Sequence, residues 1–369
     1  MSEKNTPFSA AGADSACDKA TMNGTNAATT ALPQALGGVA GSGRIKVQPQ
    51  DFCVTEELGF VPDAGGEHLW LNIEKTGWNT EDVAVWLAKA AGIHRLAVGY
   101  SGLKDKQAVT RQWFSLQLPG KPNPEFDWPE GLRCLVASRH SRKLNRGTHR
   151  SNFFELRVTH LQADADLLAA RLAEIAQKGV PNYVGEQRMG RAGSNLDNAM
   201  AWLGQGGEAP RKRTLRSLWL SAMRSYLFNQ VLAERVRLGV WDSLLDGDIL
   251  QPVGSRGLFY AADEPAAAAR LAAGEVHPTA PMPGAGGMAA QGECAQLERR
   301  LLSPFAAQIE GLAREGVDGV RRATRLLVDE LEWQQQQDAL TLRFRLPAGA
   351  FATTVLAEII EQEDTRGRG

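Results

Sequence analysis

Sulfur and imidazole are too scarce and too scattered in this sequence to build a site. Cys17, Cys53, Cys134 and Cys294 are its four cysteines, none forms a CxxC pair, and its six histidines lie apart. No zinc spacing or disulfide framework results, which points to a reducing, cytoplasmic setting. Net charge is −1, so bulk charge announces no nucleic-acid partner and only local clustering can do so. No apolar run approaches membrane-spanning length, and the opening MSEKNTPFSA lacks the apolar stretch of a signal peptide, so neither membrane nor export is expected. GxxxxGK[ST], GxGxxG, HExxH and GxSxG are all missing, which leaves nucleotide hydrolysis, dinucleotide redox chemistry and zinc proteolysis without support.

What is there has the composition of a globular protein, 43% apolar and 22% charged. Residues 1–43 hold almost no large apolar side chains and read as a disordered extension, with order beginning near Arg44. In DFCVTEEL, alternation puts Phe52, Val54 and Glu56 on one face, with Glu56 either at the frayed end of an edge strand or in a site. HLWLNIEK repeats the pattern with Leu69, Leu71 and Ile73. A helix follows, capped by Asn79 or Thr80, and QWFSLQL resumes a strand. FFELRV, a helix over 166–178 stopped by Gly179, and a long amphipathic helix ending at Gly239 come next. Residues 261–295 read as loops around a short helix, and TLRFRLP alternates again before PAGAF turns into a last helix. Early strands, middle helices and a late strand predict an α+β body interrupted by a largely helical insertion.

The chemistry concentrates in GYSGLKDKQAVTRQWFSL, residues 99–116. Asp105 stands on a loop entering a strand, a place where a rigid scaffold presents a catalytic group. The flanking Lys104 and Lys106 would favour its ionised form if they point into the same site. An ionised, positioned carboxylate can attack a sugar carbon, as in retaining glycosidases. Those enzymes pair it with a second carboxylic acid, and Glu56 is the only candidate. Taken alone, Lys-Asp-Lys is also ordinary turn composition. Two basic runs, Arg139, Arg142, Lys143, Arg146 and Arg150, then Arg188, Arg191, Arg211, Lys212, Arg213 and Arg216, favour RNA binding over two solvated faces. His140, His149 and Tyr183 are placed to stack on bases.

With GLKDKQAVTRQWFS, PNYVGEQRMG and SAMRSYLFNQ in order, plus FCVTE and PAGAFATTV, the sequence resembles the TruD family of tRNA pseudouridine synthases from about Arg44 to the last helix. The resemblance implies a pseudouridine-synthase mixed or antiparallel sheet in two parts, residues 44–207 and 326–369. An inserted lobe over 208–325 would give a V-shaped molecule with a basic cleft. It implies isomerisation of a tRNA uridine, position 13 in bacterial members, to pseudouridine, with the target base flipped out. Asp105 would be catalytic, by attack on C1′ or by way of a glycal. Phe52 would contact the target nucleotide, Asn182 would hydrogen-bond it, and Phe351 would close the pocket. Lys46, Gln112 and Arg188 would make phosphate or supporting contacts. Val184 and Met189 stand where the family usually has aromatics, which would loosen base packing. No metal or organic cofactor is implied, and a monomer is expected, with the tRNA filling its cleft. The competing readings are a non-catalytic tRNA-binding or tRNA-folding protein, a nucleoside-type hydrolase and a plain structural module.

Overall fold

The computed structural model describes residues 32–363. The expected disordered extension divides there. Residues 1–31 lie outside the described residues, whereas residues 32–43 belong to the fold, which corrects the expected disordered extension over that stretch. Leu36 and Ala40 are buried, and Gly41–Arg44 (β1) is a strand. Its small residues are what let it approach: a Cβ on Gly41 would lie 2.1 Å from the Gln162 carbonyl oxygen, and one on Gly43 2.5 Å from Val158.

Apolar alternation builds the main sheet. Its early strands are Phe52–Glu57 (β2), His68–Lys75 (β3), Val98–Tyr100 (β4), Val109–Gln117 (β5), Leu132–His140 (β6) and Ser151–Ala163 (β7). Thr80–Ala90 (α1) lies between β3 and β4, and Ala165–Lys178 (α2) leads to Val180–Pro181 (β8). The chain then leaves the sheet through Ser194–Gln205 (α3), Arg213–Arg237 (α4), Ile249–Pro252 (β9), Phe259–Tyr260 (β10) and Ala267–Ala272 (α5). Val276–Met282 (β11), Gly292–Leu302 (α6), Ala306–Arg314 (α7) and Val320–Ala323 (β12) complete that excursion. Arg325–Leu326 (β13), Asp329–Gln336 (β14), Ala339–Pro347 (β15), Ala352–Ala357 (α8) and Ile360–Gln362 (β16) bring it back.

The main sheet runs β14-β15-β7-β2-β5-β3-β6, with β1 joining β7 and β16 at one margin. Register aligns the apolar rows: Val54 faces Phe154, which faces Phe344, and Phe52 faces Leu156, which faces Leu342. α2 and α8 cover these rows, and α1 covers Leu69, Leu71, Ile73, Phe114 and Leu116. β2 is therefore central, which rules out the reading of Glu56 as the frayed end of an edge strand.

The excursion carries its own sheet, β10-β9-β11-β12. β11 corrects the expectation of loops over 261–295, where prolines argue against a strand. It pairs with β9 through Pro278 and with β12 from Thr279, so Pro278 falls at the hand-over between ladders. α4 serves two cores: Phe228, Val231, Leu232 and Val236 join the main sheet's core, while Met223 and Leu227 pack with α3 and α7. Arg235 is held by Asp248 at 2.8 and 2.9 Å, fully enclosed.

Two enclosed histidines make the fold acid-sensitive. Burial pushes both His149 and His277 down to about 4, helped by the charges of Lys104 and Arg325 respectively. The unfolded chain protonates them near 6.5 and the folded one only near 4. Stability is therefore lost as pH falls through that window, by up to about 1.4 kcal/mol per pH unit for each. Urea midpoints of wild type and His277→Gln between pH 7 and 4.5 check this, with a shallower decline expected in the variant. Equal slopes would remove His277 from the account.

Candidate active site

The site lies on the sheet face between the two apolar covers. Alternation that points Leu71 and Ile73 to this face also brings Lys75 there, and Lys75 pairs with Thr110. Glu56 sits opposite Asn152, and Gln112 opposite Ile73. A polar strip of Lys75, Gln112, Glu56 and Asn152 thus interrupts an apolar face, and the loop of residues 101–108 lies over it.

Each backbone turn of that loop is anchored from beneath. Gln112 donates to the Gly102 carbonyl and accepts from the Thr80 hydroxyl, which in turn accepts from the Lys104 N–H at 2.9 Å. The buried Lys75 ammonium donates to the carbonyls of Asp105 and Trp78 at 2.8 Å each. Burial draws Lys75 down to about 8, against the opposing charge of Asp105. Ser101 is gripped by His149, whose N–H donates to its hydroxyl and whose Nδ1 lies 2.6 Å from it. Thr80 therefore does not cap α1, and Asn79, at the cap position, makes no capping bond. Thr80→Val is expected to orphan the half-buried Lys104 N–H, costing about 1 kcal/mol, and to lower turnover about tenfold through a misplaced loop. Paired melts and rate measurements check it; unchanged turnover would show the anchor to be dispensable.

Asp105 stands on this platform with 41% of its side chain exposed. One carboxylate oxygen accepts from the Gln107 N–H at 3.0 Å, and the other from the Lys46 ammonium. Partial burial would raise its pKa, but the Lys46 and Gln107 hydrogen bonds and the charges of Lys46 and Lys75 outweigh this. They hold the carboxyl below its ordinary value. Lys46 also sits 4.3 Å over the ring of Phe52, on a left-handed backbone with φ of 56°. A non-glycine residue in that region stores strain of about 1–3 kcal/mol that the surrounding structure must hold.

The flanking lysines do not perform this task. Lys104 turns down into the sheet, donating to Asn152 Oδ1 at 2.7 Å and pairing with Glu56 at 3.2 Å, and Lys106 is exposed. Glu56 has no exposed side-chain surface; burial raises its pKa despite Lys104 and the Trp113 N–H. It cannot serve a substrate as a general acid. The expected stacking residues are also engaged elsewhere. His149 and Tyr183 are buried, and His140 packs on Trp70 at 4.4 Å.

A second group gathers beside β8. Asn182 is 8% exposed; it donates from its side chain to the Ala323 carbonyl at 2.9 Å and accepts from Arg322 at 2.7 Å. Arg188 lies on the half-exposed turn that follows, and the Phe351 ring comes within 3.7 Å of where a Cβ on Gly185 would stand. Phe351 packs against the core that contains Phe52. Among the described residues, no hydrogen bond or ion pair joins Asn182 or Phe351 to Asp105. Val184 and Met189 point into cores, and the Val184 backbone is bracketed by Asn229 at 2.9 Å on both sides.

The first basic run is largely self-engaged. Arg139 donates to Asn123 and to the carbonyls of Lys121 and Leu118. Lys143 donates to the Leu96 carbonyl and Arg146 to the Tyr100 hydroxyl, while Arg142 is exposed. Lys75, Thr80, Asn152 and Arg322 are functional-looking residues that sequence reasoning passed over. Alternation beyond Ile73 was the available signal for Lys75. Among the described residues, no group of three or more His, Cys, Asp or Glu side chains could hold a metal, and no helix is long and apolar enough to cross a membrane.

Comparison with known proteins places the chain in a family. Residues 36–198 and 209–359 match the model of the family described as tRNA pseudouridine synthase D (TruD). The chain is 47% identical over 332 residues to the tRNA pseudouridine synthase D of Pseudomonas aeruginosa strain LESB58, covering 89% of this chain and 93% of that one. It is 46% identical over 330 residues to that of Aeromonas salmonicida strain A449, covering 88% and 92%. A Methanosarcina mazei crystal structure, described as a candidate tRNA pseudouridine synthase D, superposes with a TM-score of 0.68 at 21% identity, over 89% of this chain and 95% of that one. At that identity the likeness speaks for the fold, a mixed α+β body with an inserted segment. With motifs, fold and relatives in agreement, the chain belongs to the tRNA pseudouridine synthase D (TruD) family.

Proposed function

We propose that this protein isomerises a uridine of tRNA, at position 13, to pseudouridine, with Asp105 as the nucleophile. The observation that carries this reading is an ionised, part-exposed carboxylate pinned by Lys46 over a buried platform, with no second carboxylic acid among the described residues available to act beside it. Its oxygen attacks C1′, the C1′–N1 bond breaks, and uracil leaves as a delocalised anion. The base turns, C5 displaces the aspartate from C1′, and the C5 hydrogen departs as a proton. Phe351 walls the flipped nucleotide, with the buried Phe52 ring behind it under Lys46, and extrusion of the base costs about a few kcal/mol. The exposed Arg211, Lys212 and Arg213 at the positive end of α4 and the exposed Arg142 draw the RNA backbone. In this reading Arg139, Lys143 and Arg146 add field rather than direct contacts. The enzyme works as a cytoplasmic monomer, with the insertion and the sheet body flanking the tRNA.

Tritium release from transcripts labelled at uridine C5 tests the reading, with free uracil assayed in parallel. Release without free base supports isomerisation. Free uracil would mean hydrolysis, and tight tRNA binding without release would mean a binder. A primary isotope effect from deuterium at C2′ would favour the glycal route, in which the same carboxylate removes that proton.

A further inference from the structure

Two consecutive arginines in β12 face opposite ways, as strand alternation requires. Arg321 turns into the insertion, where Glu298 meets its guanidinium and Thr279 accepts from its Nε at 2.8 Å. Arg322 turns towards the catalytic body. Its Nη2 donates to Asn182 Oδ1 at 2.7 Å, its Nε approaches the Asn182 carbonyl at 3.4 Å, and its guanidinium lies 5.6 Å from the ring centre of Phe228. Among the described residues, no carboxylate lies within ion-pair distance of Arg322, and none hydrogen-bonds or pairs with the side chain of Arg188. Arg235 and Arg321 show the usual solution for a guanidinium withdrawn from water, a carboxylate partner. Arg322 has no such partner: burial pulls it down to about 10, and the charge of Arg188, on the turn that follows Asn182, pulls the same way. Its locked neighbour is informative too. Asn182 gives one side-chain N–H to Ala323 and accepts from Arg322 on its amide oxygen, so its amide aims the guanidinium.

We propose that Arg322 and Arg188 together bind one phosphodiester of the bound RNA, with Asn182 as the positioning residue that aims Arg322. The anion supplies the charge that the site lacks, and the planar guanidinium fork suits two phosphate oxygens. The site joins β12 of the insertion to the PNYVGEQRMG segment of the catalytic body, so RNA seated there touches both. This inference rests on the tRNA reading.

The test is tRNA affinity against salt concentration for wild type, Arg322→Gln, Arg188→Gln and the double variant. Each phosphate contact contributes about 0.9 to the slope of log Kd on log salt. Either single variant is expected to lower the slope by about one contact and weaken binding about tenfold near physiological salt. Because both guanidiniums hold the same phosphate, the double variant should lower the slope no further than either single one. Asn182→Ala should keep the slope but weaken binding, and raise KM more than it lowers kcat. If Arg322→Gln does not fold, Arg188→Gln, on its half-exposed turn, reads the same quantity. A full wild-type slope in the folded Gln variants, with a lowered melting temperature for Arg322→Gln, would overturn the proposal and make Arg322 a structural clamp. Additive losses in the double variant would separate the two arginines onto different phosphates and overturn it equally. Wild-type protein that releases no tritium would instead sink the isomerase reading, whatever the slopes.

Discussion

Asp105→Asn is expected to lower tritium release by at least about 10⁴-fold, the scale on which removal of an enzyme's nucleophile acts. Binding should change little. Asparagine keeps the acceptor for the Gln107 N–H and the shape of the loop, so tRNA affinity should stay within about threefold, or about 0.6 kcal/mol. Stability should shift by less than about 1 kcal/mol, because the Lys46 pair is part-exposed and screened. A variant that retains a tenth of wild-type release would remove Asp105 from the chemistry. The depressed pKa adds a second expectation. Asp105 is already ionised above its ordinary value of 3.8, so the acid limb of the rate profile should track unfolding and not carboxylate titration. A limb that sets in while the protein remains folded would contradict this.

The largest stability loss is expected from Lys104→Met. Glu56 is fully enclosed and Lys104 nearly so, with side-chain exposures of 0% and 7%. Removing one partner of such a pair leaves an uncompensated buried charge, at a cost of about 3–5 kcal/mol. Glu56, raised by burial already, would then take up a proton more readily. In the folded state its pKa exceeds the unfolded value, so the penalty is full where the carboxylate is ionised and is relieved as pH falls through the folded pKa. The variant should therefore recover part of its loss on mild acidification, against the histidine trend. Adding Glu56→Leu should restore most of the stability at neutral pH, which separates charge from packing. Urea denaturation of the two single variants and the double variant gives the coupling directly. A loss below about 1 kcal/mol for Lys104→Met would mean that water already reaches the pair.

The alternation in DFCVTEEL and HLWLNIEK set the faces correctly, and carrying it one step past Ile73 would have found Lys75 beneath the loop. The triplet around Asp105 misled, because residues adjacent in sequence diverge in space once a loop is pinned at every turn. Lys104 goes down to Glu56, while the lysines that act on Asp105 come from 59 and 30 residues away. Runs of arginine were visible but not their intramolecular partners, which depend on carbonyls that tertiary folding brings near. Glycine-rich residues 41–43 looked like coil because their value lies in what they do not carry. Asn182 was recognised by its motif, yet its two locked hydrogen bonds follow from β12, more than a hundred residues away.

The pairing of β1 with β16 has a consequence in time. Arg44 meets Glu363, 319 positions further along the chain, and Gly41–Gly43 ladders onto Ile360–Gln362. At about 5–20 residues per second on the ribosome, β1 can pair with β7 once residue 163 has emerged, and its other edge then waits about 10 to 40 s more for β16. Lys46 follows β1 by two residues and holds the strained backbone that reaches Asp105. Until β16 emerges, β1 is laddered on one side only, so a nascent or proteolytically clipped chain carries Lys46 behind a strand whose other edge is still open.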